Sequence, residues 1–457
     1  MSNGEATVTN LHDMHGEQIE AASQETVRLL DHAVTGYARA RRDTRDRLTA
    51  ALTSDPTCVM AHCLDGYLYM LSSKRDGMPR AREALARAHA VALARTLPRR
   101  EHLHMAALDA WSRGDMRGAA STWDTLLDEY PRDLIALKVS QFVLSYLGES
   151  DRMRDRVARV LPAWSTDQPG YGFALGCYAY ALEESGRYRE AEDAGRRAVE
   201  LDRGDIWAAH AVAHVTEMEG RLDEGIEWIA ALADEWRDCS NFALHLKWHE
   251  GLYHLELEQY DRVLTLYDRE VRAESTDEYL DVANAVSLLW RLEQADVNVG
   301  ARWGELASRA ATHIGDHALV FVDLHYLMAL AAADDRAAVA EFLASCEAFA
   351  ASEQGTEAEV MADVGLRLAR AVVAHREGEY GDAVDDLFPV RRRIRHIGAS
   401  HAQRDLFDQL LIDSAWRGRR FDEARQLLAE RLERRPNNRW GLKLQRAVTA
   451  SAGTSSR

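Results

Sequence analysis

Apolar residues recur along most of the chain at the spacing of an amphipathic α-helix. The segment AREALARAHAVALARTL at 81–97 is typical, because its alanine and leucine side chains return every three or four residues and polar residues fill the positions between them. No segment alternates apolar and polar residues over the length of a strand. The pattern therefore predicts an all-α protein.

A short motif also returns along the chain. Each copy has a turn with Gly or a polar pair, then an aromatic or large apolar residue, then a small residue three positions later. The small residues follow one another at 38, 72, 34, 38, 120 and 41 residues, and the two long gaps correspond to about two and three periods. Their positions are Ala81, Ala119, Ala191, Gly225, Val263, Ala383 and Ala424. Such a period indicates one pair of antiparallel helices per repeat.

The motif resembles the tetratricopeptide repeat, in which the small residue lets the second helix approach the first. We therefore expect an α-solenoid, a right-handed superhelix of about ten helix pairs between residues 55 and 436, with one further pair possible before them. The predicted repeat domain spans 19–447. Residues 1–18 and 448–457 are predicted to be disordered tails.

Charge and cysteine content narrow the possible partners. Lys and Arg number 56 against 74 Asp and Glu, and the net charge is −18. Neither nucleic acid nor an anionic membrane is therefore an expected partner. The five cysteines are odd in number and have no CxxC spacing, the chain begins with no signal-peptide pattern, and no stretch is long and apolar enough to span a membrane. These features favour a cytoplasmic protein.

The repeat register predicts which side chains face the hollow of the superhelix. In tetratricopeptide repeats the first helix of each pair lines the concave surface, with groove positions about ten, six and three residues before the turn glycine. Counting back from Gly220 gives His210, His214 and Glu217, which share one helix face. These three residues are candidates for catalysis, ligand binding and metal binding.

The next repeat adds two more histidines. Glu258 holds its turn position, and the same count gives Trp248 on the groove, flanked by His245 and His249. We expect His245 and His249 to meet His210 and His214, because helices in contact lie about 8–10 Å apart. The same register predicts further ligand-binding residues in other repeats, namely His104, Trp111 and Gln409.

Three interpretations of the histidines stay open at this stage. The first is a divalent metal held by residues from His210, His214, Glu217, His245 and His249, because two histidines at i and i+4 are a common pair of metal ligands. The second is acid–base chemistry by His210 or His214, with Glu217 fixing the tautomer. The third is a buried polar network that only fixes helix packing.

Several segments resemble a specific family. RREHLHMAALDAW, HAVAHVTEMEG, HLKWHEGLYHLELEQYDRVLTLYD, LDVANAVSLLWRLE and HAQRDLFDQLL are similar to the tetratricopeptide repeat protein 38 family, over about residues 20–435. The resemblance implies that the histidines above occupy family-typical positions, and it adds the ligand-binding candidates Asp323 and His325. It also includes Arg404 and Asp405, two further candidates that lie just ahead of the groove positions of the last helix pair. It implies an architecture and a site, and it names no reaction.

Two functions are compatible with these patterns. The first is a binding protein whose concave pocket, lined by His, Trp and carboxylate side chains, holds a small polar ligand or a peptide or protein segment. The alternative is an enzyme that uses an enclosed, histidine-rich pocket on a small molecule. A divalent metal is a possible cofactor of either. Binding is favoured, because helical solenoids are mostly interaction scaffolds.

Overall fold

The computed structural model describes residues 11–352 and 354–454, and nearly all of them lie in helices. The first helices are Gln24–Ala38 (α1), Thr44–Ser54 (α2), Val59–Leu71 (α3), Gly77–Ala94 (α4), Arg99–Ser112 (α5), Met116–Glu129 (α6), Leu134–Tyr146 (α7), Ser150–Val160 (α8), Tyr171–Glu184 (α9), Tyr188–Leu201 (α10), Ile206–Glu219 (α11) and Leu222–Leu232 (α12). The others are Phe242–Glu256 (α13), Tyr260–Leu266 (α14), Tyr279–Gln294 (α15), Trp303–Ala311 (α16), Val320–Ala332 (α17), Arg336–Ala351 (α18), Thr356–Val360 (α19), Leu366–Glu377 (α20), Tyr380–Leu387 (α21), His401–Arg417 (α22), Phe421–Arg434 (α23) and Arg439–Thr454 (α24).

Short irregular turns connect or extend some of these helices. Four are 3₁₀ turns, at Leu161–Ala163, Ala233–Trp236, Gly300–Arg302 and Arg391–Ile397. Two are π-helical, at Tyr267–Val271 and Met361–Gly365, and the second joins α19 to α20 in one longer helix.

The helices form the predicted solenoid of tetratricopeptide type. From α3 to α23 the described chain contains ten helix pairs, and α1 and α2 form one more pair before them. Six of the seven predicted small residues are completely buried, and a Cβ added to the seventh, Gly225, would lie 2.6 Å from the Tyr253 ring. The small residues thus bring paired helices together, which confirms the repeat register.

The turn position needs a left-handed backbone, which glycine adopts most easily. Gly186 and Gly220 have φ angles of 75° and 72° there. Glu258, which the register assigns to the same position, also has a positive φ, 57°. A non-glycine residue at this φ is unusual, so the angle supports the assignment.

The superhelix closes on itself. The backbone N–H of Thr356 donates to the carbonyl of Gly114 (2.9 Å), and Arg117 pairs with Glu359 (2.6 Å). Further along, Arg435 at the end of α23 pairs with Glu217 of α11 (3.2 Å). Side chains that an open superhelix would expose in its groove are therefore buried between distant repeats.

The structure contains regular elements within part of each predicted tail. Leu11–His12 (β1) and Gln18–Ile19 (β2) pair as a small antiparallel hairpin. Asp13 holds it in place, because its carboxylate accepts from the backbone of His15 and Glu17 and pairs with buried Arg100 (2.6 Å). At the other end α24 continues past residue 447, with Val448 completely buried. Residues 1–10 and 455–457 of the predicted tails lie outside the described residues.

Candidate metal centre

Helix α11 supplies two of the four clustered histidines. Asp205 caps its start by accepting from the backbone N–H of Ala208 (3.1 Å), and Gly220 ends it in a left-handed turn. His210 and His214 lie one turn apart on the same face, and they are only 2% and 0% exposed. The sequence thus fixes both ends of the helix and the face that carries the imidazoles.

Helix α13 supplies the other two, as the register predicts. His245 and His249 are 2% and 0% exposed and lie against α11. One ring nitrogen from each of the four histidines lies within 4.8 Å of the other three. The Nε2 atom of His210 is 2.9 Å from Nε2 of His214 and 3.1 Å from Nε2 of His245. We call these four residues the histidine cluster.

Acceptors outside the cluster bind the outer nitrogens of three rings. Nδ1 of His214 lies 3.1 Å from a Glu183 oxygen, and Nδ1 of His249 lies 3.2 Å from a Glu217 oxygen. Nδ1 of His245 lies 3.1 Å from the Asn284 side-chain oxygen. A neutral imidazole carries one proton, and an acceptor at Nδ1 places it there. The Nε2 atoms of these three rings then carry lone pairs that point inward.

The interior of the cluster has too few protons to satisfy its nitrogens. A proton on Nε2 of His210 can serve only one of its two close neighbours, and Nε2 of His249 has no hydrogen-bond partner among the described residues. A bound metal cation would satisfy these nitrogens, because it accepts their lone pairs. Zinc–nitrogen bonds of about 2.0 Å in a tetrahedron place the nitrogens about 3.3 Å apart. Nε2 of His210 lies at similar distances, 2.9 and 3.1 Å, from Nε2 of His214 and of His245.

Burial keeps the histidines neutral. Desolvation lowers the pKa of all four, and the charges of neighbouring histidines lower those of His210 and His249 further, to well below the ordinary value. The pKa of His245 falls to about 3. Neutral imidazole is the form that binds metals. A general acid or base works best with a pKa near the working pH, so these values disfavour acid–base chemistry here.

Glu217 is not placed as the sequence suggests. It accepts from His249 rather than fixing the tautomer of His214, and its other oxygen pairs with Arg435. Its carboxylate therefore supports a cluster histidine from outside and is not grouped with the four nitrogens.

A second group of possible ligands adjoins the cluster. Glu183, Glu184 and His401 bring ligand atoms within 4.8 Å of one another and of His214. Burial, reinforced by the charges of Glu184 and Glu217, raises the pKa of Glu183 well above its ordinary value. Burial and the charge of His214 lower the pKa of His401.

These three residues were absent from the predicted site. Glu183 had a usable signal, because it lies three residues before the turn glycine Gly186, the same offset that relates Glu217 to Gly220. His401 had a weaker one, its place in the segment HAQRDLFDQLL. Its meeting with α9 depends on the closure of the superhelix, which a repeat register does not encode.

Aromatic rings enclose the cluster. Tyr180 stacks on His210 (centroids 5.7 Å apart), and Trp248 stacks on His245 (5.0 Å) while its indole N–H donates to Ser287 (2.8 Å). Trp248 is thus a wall of the site and does not face an open groove. One narrow cavity of about 60 Å³ reaches His210 and His245.

Three other predicted ligand-binding residues lie beside the second group. Arg404 pairs with Glu184 (3.2 Å), and Asp405 accepts from Gln409 (2.7 Å) and pairs with Arg435 (3.4 Å). Arg404 and Asp405 also line a cavity of about 450 Å³ that His401 borders. A ligand role for these residues stays a prediction.

The remaining predicted residues make their contacts elsewhere. His104 lies between Asp133 (2.8 Å) and Tyr67 (3.1 Å), and Trp111 packs edge-on against Trp123. Asp323 binds His317 (2.9 Å), and His325 donates to the Phe321 carbonyl (2.7 Å). The structure therefore does not gather them with the cluster, because their repeats occupy other parts of the superhelix.

Comparison with known proteins gives similarity of fold only. No protein-family model matches the chain. A Rap protein in complex with competence and sporulation factor aligns at 12% identity, with a TM-score of 0.45, over 78% of this chain and all of that one. Yeast Tom70 aligns at 11% identity with a TM-score of 0.35, and a human IFIT1 dimer with m7Gppp-AAAA at 12% and 0.38, each over 95% of this chain and 96% of the other. Similarity this distant carries no argument about the ligand.

Within the described residues, no helix combines the length and apolar character needed to cross a bilayer.

Proposed function

We propose that this tetratricopeptide-type protein binds a divalent transition-metal ion between His210, His214, His245 and His249. The observation that carries the proposal is the set of four Nε2 atoms that face one another, with the outer nitrogens of His214, His245 and His249 held by Glu183, Asn284 and Glu217. This arrangement matches the outer hydrogen bonds that orient metal-binding histidines. All-nitrogen donors favour zinc or a similar ion.

For the four histidines, the ligand that we propose is a metal ion, and not the small polar molecule or peptide segment expected from the sequence. The four rings are buried, and their nitrogens lie within 4.8 Å of one another, which leaves space for an ion and not for an organic molecule. Four histidines also complete a tetrahedral shell, as in a structural or storage site, whereas catalytic zinc keeps an open position. The arrangement thus favours binding over the enzymatic alternative.

Three further proposals concern the protein as a whole. We propose that the chain belongs to the tetratricopeptide repeat protein 38 family that it resembles, that it works in the cytoplasm, and that it does not bind nucleic acid. The charge of −18 supports the last, since a nucleic-acid interface needs to neutralise phosphates. Titrating labelled duplex DNA at physiological salt tests it, and a salt-sensitive micromolar complex would contradict it.

The metal is tested by content and by titration. Protein purified without chelator is analysed for bound metals, then stripped and titrated with Zn²⁺ by calorimetry. The variant His249→Ala should lose the cluster ion and the rise in melting temperature that the ion produces. Its partner Glu217 keeps Arg435, so the metal-free variant should stay folded.

His104→Ala is the matched control, because it removes an equally buried imidazole from a site where the ring nitrogens have partners. It should keep the ion and destabilise the metal-free protein more than His249→Ala does. If the wild type binds no Zn²⁺, or if His249→Ala destabilises without changing binding, the histidines form only a structural network.

A further inference from the structure

His214 faces two groups of ligand atoms at once. Its Nε2 atom lies in the histidine cluster, 2.9 Å from His210. Its Nδ1 atom faces Glu183 at 3.1 Å and Glu184 at 3.9 Å. His401 completes this second side, with Nδ1 3.2 Å from Glu184. One imidazole thus connects the cluster to a separate group of two carboxylates and one histidine.

Two buried atoms in the second group are not hydrogen-bonded to any residue that the structure describes. They are Glu183 Oε1 and His401 Nε2, which are shielded from solvent and lie 2.7 Å apart. Their mutual orientation does not suit a proton between them. A carboxylate oxygen and an imidazole nitrogen in this arrangement suit the coordination shell of a cation.

One carboxylate of the second group also lacks a positively charged partner. Glu184 pairs with Arg404 (3.2 Å) and accepts from the backbone N–H of His401 (2.9 Å). Glu183 is completely buried, and within the described part of the chain it makes no ion pair with arginine or lysine; its contacts there are His214 and His401. A buried carboxylate without a charged partner is costly unless it takes up a proton or a metal ion, and a bound divalent ion would displace that proton.

We infer that a second divalent cation binds between Glu183, Glu184 and His401, and that the imidazole of His214 bridges it to the ion of the histidine cluster once its Nδ1 proton has been released to solvent. This inference rests on the proposed function. The bridge would separate the two ions by about 6 Å, from metal–nitrogen bonds of about 2.0 Å on either side of the ring. The second site has mixed oxygen and nitrogen donors, which suit zinc or manganese.

The two ions would differ in access. The first ion would be enclosed by aromatic rings. The second would lie next to His401, which lines the cavity of about 450 Å³ together with Arg391 and Arg434. The second ion should therefore exchange faster and be the first that a chelator removes. Its coordination can also be completed by an anion that enters from the arginine side.

Stoichiometry is the first test. Metal-stripped wild type titrated with Zn²⁺ should bind two ions per chain. Glu183→Gln keeps the side-chain size but removes the charge, and it should bind one. Glu357→Gln, at a buried glutamate elsewhere whose oxygen accepts from Val320, should still bind two.

Spectroscopy tests the bridge. Cu²⁺ added to the stripped wild type should give an electron paramagnetic resonance signal that grows with the first equivalent and weakens with the second, because bridged spins couple. In Glu183→Gln the signal should stop growing at one equivalent without weakening. One ion in the wild type, or two ions with uncoupled spins, would overturn this inference and leave the proposed function intact. No ion at all would overturn both.

Discussion

Two buried histidine sites of this protein differ in how completely their atoms are paired. His104 lies in a closed network: Nε2 contacts Asp133 (2.8 Å), Nδ1 contacts Tyr67 (3.1 Å), and Arg100 pairs with the same Asp133 (2.6 Å). The histidine cluster is equally buried, yet Nε2 of His249 and Nδ1 of His210 form no hydrogen bond with any part of the chain that the structure describes.

Burial alone does not distinguish the two sites, but the pairing of their polar atoms does. A site built for stability satisfies its own polar atoms, because each unpaired buried group costs stability. A site built for a ligand keeps some atoms unpaired until the ligand arrives. Accounting for partners, atom by atom, therefore separates two sites that the repeat register treats alike.

The largest expected effect is at the closed network. Asp133→Ala leaves Arg100 and His104 without their shared carboxylate and removes the cap on the Ala136 N–H. It should lower the free energy of unfolding by about 3–5 kcal/mol, measured by chemical denaturation of the metal-free protein. Zinc binding by the folded fraction should be unchanged. A change in zinc affinity with little loss of stability would reverse the roles assigned to the two sites.

A smaller effect is expected behind the cluster. Glu217→Gln weakens the acceptor that orients His249, and it should reduce zinc affinity by about 10–100-fold, measured by competition with a chelator of known affinity. Arg435 also loses a charged partner there, although Asp405 still holds it. An unchanged affinity would mean that Glu217 does not act on the cluster.

The last prediction concerns pH and compares the pH ranges in which the two sites lose stability. The pKa of His245 is about 3 in the folded protein, below its ordinary 6.5, so the unfolded chain binds more protons between these values. Lowering the pH from 6.5 towards 3 should therefore destabilise the metal-free protein, by up to about 1.4 kcal/mol per pH unit for each such histidine. His245→Gln should make that slope shallower.

The closed network should respond only at lower pH. Burial alone would raise the pKa of Asp133, but Arg100 and His104 outweigh it and hold the value well below its ordinary range. Its stabilisation is present above about pH 4 and is lost as the pH falls further. Stability curves of Asp133→Asn and His245→Gln should thus depart from wild type in different ranges, and identical departures would contradict the comparison.

The fold was predictable because most of the repeats carry the same local signal. Small residues such as Ala191 and Ala424 mark the packed helix pairs, and Glu258 takes the turn conformation that the register requires. The cluster was predictable for the same reason, since it joins neighbouring repeats. The contacts of His401 and Arg435 were not, because they join residues more than 200 positions apart, and a local pattern contains no information about where distant repeats meet.

The closure of the superhelix also limits how the chain can change. An open repeat array can gain or lose a unit, since each unit contacts only its neighbours. Here, removing one helix pair between α11 and α22 would move Arg435 away from Glu217 and His401 away from Glu183. The number of repeats is therefore fixed by ring geometry, in the way that the number of blades is fixed in a propeller, and insertions are tolerated only in loops that leave the circumference unchanged.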